Sequence, residues 1–182
     1  MKNVILFHGT GETPQHFWYP WLQKELEMKG YTVCIPELPN TNHPALDQWL
    51  PIALQQHITQ ESIIIGHSAG CPLILSLLEK INLPVKQIIL VAAFFQYNHI
   101  PNYNEPILQK TYNWKKIAKN SKDLIVINAD NDPWGCTDIV GKQLITYIKK
   151  GTLVMPKGEG HMGSDTYHQP YKEFPLLLKL ID

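Results

Sequence analysis

The sequence predicts an α/β fold: a mainly parallel sheet of about six strands between two layers of helices, a three-layer α/β/α sandwich. Two patterns point to it. Short apolar runs alternate with amphipathic helical spacings along all 182 residues. The most apolar run, Gln87–Phe94, shows no alternation, as expected of a strand covered on both faces. No internal repeat, low-complexity segment or linker interrupts the chain, so residues 1–182 read as one domain.

Taken in order, Val4–Phe7 is the first strand and runs into His8-Gly9-Thr10-Gly11. Trp18, Trp21, Leu22 and Leu26 then recur at helical spacing. Tyr31–Ile35 is a second strand, stopped by Pro36 and Pro39. Leu46, Trp49, Leu50, Ala53, Leu54 and Ile58 mark a second amphipathic helix. Ile63–Ile65 is a third strand, bounded by Gly66, and the apolar stretch 71–78 reads as a central buried helix. Gln87–Phe94 follows as the fourth strand. Residues 95–112, rich in Asn, Tyr and Pro, read as a surface excursion at the pocket mouth, before a short helix near Trp114–Ala118. Leu124–Ala129 is a fifth strand, and Val140, Leu144, Tyr147 and Ile148 mark the next helix. Thr152–Met155 is a sixth strand, and Phe174, Leu177, Leu178 and Ile181 close the chain as a helix.

In such sheets functional residues sit in loops beyond the carboxyl ends of the strands. Gly66-His67-Ser68-Ala69-Gly70 matches G-x-S-x-G between a strand and a buried helix. The glycines allow the helix to pass close to the strand while the turn projects Ser68, and Ala69 supplies an N–H at the helix start. A serine nucleophile needs a base. Among eight histidines, glycine-flanked His161 follows the sixth strand and is preferred, with His168 as runner-up and His67 as a structural residue. The carboxylate should follow the fifth strand. Asp132, placed before Pro133, is preferred there, with Asp130 as the alternative, while Asp138 and Asp165 fit less well. The order Ser68, Asp132, His161 is that of α/β-hydrolases. Thr10 is the candidate second oxyanion donor beside Ala69, with Gly11 also possible. The spacing of Trp18 and Trp21 is first a core signal. Gly11, Trp18, Trp134 and Met162 are the candidate substrate contacts.

All 16 basic residues are lysine, balanced by 16 acidic ones, and arginine is absent. A nucleic-acid partner would need a basic footprint, so none is expected. Without a guanidinium to clamp an anion, a neutral and partly apolar small-molecule acyl substrate is expected. No cofactor is expected: G-x-G-x-x-G fails at Pro14, and no G-K-[ST] occurs. No metal is expected either, since no H-x-x-x-H pair occurs. Cysteine is sparse and odd in number (Cys34, Cys71, Cys136), with no CxxC pair, which suggests a reducing, cytoplasmic setting. The short apolar runs suggest no signal peptide and no membrane association.

Together, the His8–Gly11 loop, His16-Phe17-Trp18-Tyr19-Pro20-Trp21-Leu22, the Ser68 turn, Asp132-Pro133 and Gly160-His161 resemble a known family. It is that of the small serine hydrolases of the retinoblastoma-binding protein nine and YdeN type. The tryptophan-rich segment is the most family-specific of these features. The resemblance covers essentially the whole chain. It implies a minimal α/β-hydrolase fold without a large cap domain, an esterase- or peptidase-type activity, and a triad at Ser68, Asp132 and His161. The retinoblastoma-protein ligand pattern L-x-C-x-E is absent, because Cys34 is followed by Glu37 one residue too late, so no such partner is expected. The chemistry expected is cleavage of a small ester, thioester or amide through an acyl-enzyme. The alternatives are acyl transfer by the same residues and a catalytically silent binding protein.

Overall fold

The computed structural model describes residues 2–96 and 106–181. Its strands are β1 (Asn3–Phe7), β2 (Thr32–Cys34), β3 (Ile63–His67), β4 (Val85–Val91), β5 (Ser121–Ile127) and β6 (Thr152–Val154). They form one sheet in the order β2-β1-β3-β4-β5-β6, with every pairing parallel. The helices are α1 (Tyr19–Met28), α2 (Leu46–Leu54), α3 (Gly70–Lys80), α4 (Trp114–Asn120), α5 (Asp138–Ile148) and α6 (Pro175–Lys179). Crossover connections divide them between the two faces of the sheet. On one side α1 meets α6, and on the other α2, α3, α4 and α5 touch in succession. No large cap interrupts this plan among the described residues.

The sandwich explains the apolar runs. β3 is buried along its whole length, and in α3 every residue from Gly70 to Leu78 is buried. A helix that is hydrophobic all round belongs in a core, and α3 lies on the central strands with helices on either side. Burial of apolar surface at roughly 25 cal/mol per Å² makes this central layer the main source of stability. The edge strands β2 and β6 pair for only three residues each, which limits open backbone at the sheet margins.

Strands β4 and β5 end earlier than their apolar runs suggest. Ala92 adopts a left-handed conformation (φ 49°). The Asn128 side chain then takes over from the ladder, accepting from the Ala93 N–H (2.7 Å) and donating to the Ala93 and Thr137 carbonyls (both 2.9 Å). This clasp satisfies backbone groups that leave the sheet inside the core.

The stretch 95–112 is not simply a surface excursion. Residues 97–105 lie outside the described residues, but Phe95 and Ile107 on either side are buried. Phe95 packs edge-on against Trp114 (5.4 Å) and Tyr147 (5.5 Å), which stack on each other. Aromatic side chains in a polar stretch anchored its ends inward, a packing that composition alone does not reveal.

The strand order reverses between β1 and β3. The loops after these two strands therefore meet at the carboxyl edge of the sheet, where ligands of open α/β sheets bind.

Candidate active site

The turn after β3 holds Ser68 in a left-handed conformation with φ 51°. A non-glycine residue there is strained by of order 1–3 kcal/mol, and surrounding structure must enforce it. Here the Ser68 N–H donates to the Val91 carbonyl (3.0 Å), and its carbonyl accepts from the Cys71 N–H (2.9 Å). The flanking glycines permit the turn. A Cβ on Gly70 would lie 2.3 Å from the Phe7 carbonyl oxygen, and one on Gly66 would lie 2.8 Å from the Gly70 oxygen. The His8–Gly11 loop presses against the turn, since a Cβ on Gly9 would meet the Ser68 Cβ at 2.8 Å. Among the described residues, neither the Thr10 nor the Ala69 N–H is used in a backbone hydrogen bond.

The loops after β5 and β6 are clasped by three consecutive side chains. Asp130 accepts from the Gly158 N–H (2.8 Å), and Asn131 accepts from the Gly160 N–H (2.8 Å). Asp132 accepts from His161 Nδ1 at 2.7 Å through Oδ2, and from the Trp134 N–H at 2.8 Å through Oδ1. Asp132 is 6% exposed and His161 4%. With Nδ1 donating, the lone pair of the neutral imidazole resides on Nε2. The His161 N–H is itself held by the Gln169 side chain (2.9 Å). Asp130 thus serves the loop and not the histidine, and His168 is exposed.

Beneath these loops lies a buried ion pair that sequence reasoning missed. The Glu12 carboxylate accepts from the Gly9 N–H (2.5 Å) and from the Tyr19 hydroxyl, and its Oε1 lies 3.1 Å from His67 Nδ1. His67 Nε2 donates to the His161 carbonyl (2.9 Å), and its Nδ1 lies 2.7 Å from the Tyr19 hydroxyl as well as beside Glu12; both ring nitrogens donate when the ring is protonated. Burial alone would lower the His67 pKa, but the Glu12 charge, its hydrogen bond and the His161 carbonyl outweigh it and hold the pKa above the ordinary range. Burial alone would raise the Glu12 pKa. The His67 charge and the donors from His67, Tyr19 and Gly9 outweigh it and hold the carboxylate low. The pair links the loops after β1, β3 and β6. Glu12 carries no local sequence signal, whereas the place of His67 in the turn marks it as structural. His8 is different: burial dominates and lowers its pKa, and its Nε2 has no hydrogen-bond partner among the described residues.

A cavity of about 850 Å³ opens over this edge. Thr10, Gly11, Ser68, Asp132, Trp134 and His161 all line it, as do Phe17, Phe94, Cys136 and Asp165. No lysine lines it among the described residues. Trp134 is 51% exposed and stands edge-on to His161 (6.4 Å) and to Tyr167 (5.2 Å).

Two of the expected substrate contacts are misplaced. Trp18 is fully buried, with its indole N–H donating to the Met162 carbonyl (2.9 Å) and its ring against Phe174. Met162 is also fully buried, and neither lines the cavity. A large aromatic at helical spacing gains most by filling the core, and the indole N–H found its acceptor inside the protein. Phe17, whose backbone is left-handed (φ 50°), lines the cavity where Trp18 was expected.

Comparison with known proteins gives the family and the fold. The family model described as serine hydrolase matches residues 4–179. This chain belongs to the serine hydrolase family. It is 33% identical over 135 residues to YdeN of Bacillus subtilis, named as a hydrolase, covering 72% of this chain and 71% of that protein. It is 26% identical over 174 residues to serine hydrolase RBBP9 of Rattus norvegicus, covering 91% and 89%. The crystal structure of the ydeN gene product superposes with a TM-score of 0.87 at 27% identity, covering 99% of this chain and 96% of that one. Est1E from Butyrivibrio proteoclasticus, solved with ferulic acid bound, shares the fold with a TM-score of 0.70 at 13% identity, covering 100% and 86%. The protein is therefore an α/β-fold hydrolase. Among the described residues no helix is long and apolar enough to cross a membrane.

Proposed function

We propose that this serine hydrolase cleaves small carboxylic esters, and related thioesters or amides, through Ser68, His161 and Asp132. The observation that carries the reading is the buried 2.7 Å His161–Asp132 hydrogen bond, which opens onto the same cavity as the strained Ser68 turn. His161 Nε2 takes the Ser68 hydroxyl proton as the oxygen attacks the substrate carbonyl. Asp132 holds the tautomer and stabilises the imidazolium. The N–H groups of Thr10 and Ala69 receive the oxyanion. As the tetrahedral intermediate collapses, His161 returns the proton to the leaving group. Water, deprotonated by His161, then cleaves the acyl-enzyme and restores Ser68.

The cavity wall supports a neutral acyl group. Among the described residues the wall's carboxylates are Glu12, Asp132 and Asp165 and no lysine lines it, which disfavours an anionic acyl group. Neutral acyl groups fit, with Phe17, Phe94 and Trp134 supplying apolar contact. The volume lies in the range of small-molecule sites, about 300–1,000 Å³.

The test is labelling with a fluorophosphonate probe alongside hydrolysis of p-nitrophenyl esters. Ser68→Ala should abolish labelling and lower kcat by several orders of magnitude, leaving the residual rate given by the oxyanion donors and binding. Full activity in Ser68→Ala would end the assignment.

A further inference from the structure

The loops after β5 and β6 bring together more than a hydrogen-bonded pair. Cys136, just ahead of α5, stands in the same wall. A carboxylate oxygen of Asp132, Sγ of Cys136 and a ring nitrogen of His161 all lie within 4.8 Å of one another, and all three residues are buried. Cys136 forms no disulfide. The three side chains line the cavity, which gives an ion a path to them. We propose that this trio binds a thiophilic divalent cation of the zinc class, and that occupation switches the hydrolase off. The second half rests on the catalytic reading of His161 and Asp132, and the first does not.

Thiolate, imidazole and carboxylate are the ligands zinc takes, whereas magnesium and calcium favour oxygen alone. Around a tetrahedral zinc, with bonds of about 2.0–2.3 Å, neighbouring ligand atoms stand about 3.3–3.6 Å apart. The 2.7 Å His161–Asp132 contact must therefore open by less than about 1 Å. Any separation at the 4.8 Å limit must close by little more than about 1 Å. Side-chain rotation supplies movements of that size. The fourth position is left to water from the cavity.

Binding expels the Cys136 thiol proton to solvent. Loss of activity follows whichever imidazole nitrogen the metal takes. A metal on Nδ1 leaves the remaining proton on Nε2, so that nitrogen has no lone pair for the Ser68 proton. A metal on Nε2 occupies the lone pair itself. The sequence hides the site because its ligands come from two loops and form no H-x-x-x-H spacing.

The experiment uses the intact chain carrying Cys34→Ser, which removes the exposed thiol. It is compared with the same chain carrying Cys136→Ser or Cys136→Ala, each checked for folding by thermal unfolding. Cobalt chloride reports binding through thiolate-to-cobalt charge-transfer absorption, independently of catalysis. Zinc chloride is titrated against p-nitrophenyl ester hydrolysis, each variant being scaled to its own metal-free rate. The expected result is a cobalt band at one equivalent that both Cys136 variants lose. Zinc inhibition should be reversed by EDTA, with at least a ~10-fold higher half-inhibiting zinc concentration in those variants. Absence of the band, or equal zinc sensitivity with and without the Cys136 thiol, overturns the site. A band without inhibition of an active enzyme overturns the switch. A band in a protein that hydrolyses no ester upholds the metal site while the catalytic reading, and the switch with it, fall.

Discussion

Replacing Glu12 with alanine strands several donors at once. The Gly9 N–H, the Tyr19 hydroxyl and the His67 imidazolium all lose their carboxylate. Glu12 is 5% exposed and His67 fully buried, so water offers little compensation. Breaking a buried pair by removing one partner costs about 3–5 kcal/mol. For a domain of this size that lowers Tm by about 6–20 °C. The loss depends on pH, with a sign the pKa shifts dictate. Glu12 titrates below its ordinary 4.5, so its contribution is complete above pH 4.5 and fades as pH falls through the folded value. His67 titrates above its ordinary 6.5, so its contribution is complete below pH 6.5 and fades as pH rises through the folded value. Both hold together between pH 4.5 and 6.5. Melting followed by circular dichroism should show the widest gap between wild type and Glu12→Ala near the middle of that window, and a narrower gap in alkaline buffer. Glu12→Gln should cost less, about 1–3 kcal/mol. Its amide oxygen can still accept from Gly9, while His67 gives up its Nδ1 proton and accepts from the amide. A gap that stays constant from acid to alkaline pH, or an alanine variant within about 1 kcal/mol of wild type, would refute the buried ion pair.

Other substitutions probe the remaining parts. Asp132→Asn should leave the loops in place but favour the wrong His161 tautomer, lowering kcat by about 10⁴-fold in steady-state ester hydrolysis. Gly70→Ala would force a Cβ to within 2.3 Å of the Phe7 carbonyl oxygen. A cost of about 1–3 kcal/mol is expected in denaturant unfolding, and an unchanged midpoint would contradict the close approach of α3 to β1. Trp134→Ala should raise KM for aromatic and longer acyl esters more than for acetate, with Tm nearly unchanged because the indole is half exposed. A uniform fall in kcat across acyl chains would instead place Trp134 in the chemistry.

Much of the architecture was legible because its signals are local. Periodicity marks β3 and α3 as buried, and the spacing of Gly66 and Gly70 around Ser68 is required by a turn in which a Cβ on either would strike backbone. The choices between Asp132 and Asp130, and between His161 and His168, were local only in part. Proline after Asp132 and glycines before His161 favoured them, yet it is the clasp between the two loops that brings Asp132 and His161 together. For Trp18 the helical spacing pointed to the core, where the ring lies, and only its reading as a substrate contact departs from the structure; that its indole N–H finds an acceptor at Met162 is not a local signal.

By itself the sequence determined the alternation of strands and helices, the serine turn and the lack of any guanidinium, because each depends on neighbouring residues or on composition. Only the tertiary structure decided which distant groups meet. Glu12 and His67 stand 55 residues apart in the chain and form one buried pair. Phe17 faces the cavity in place of Trp18. Cys136 joins Asp132 and His161. The physical reason is common to all three: burial energy is satisfied by the packing of whole elements, and that packing sets side chains from separate loops against one another at the carboxyl edge of the sheet.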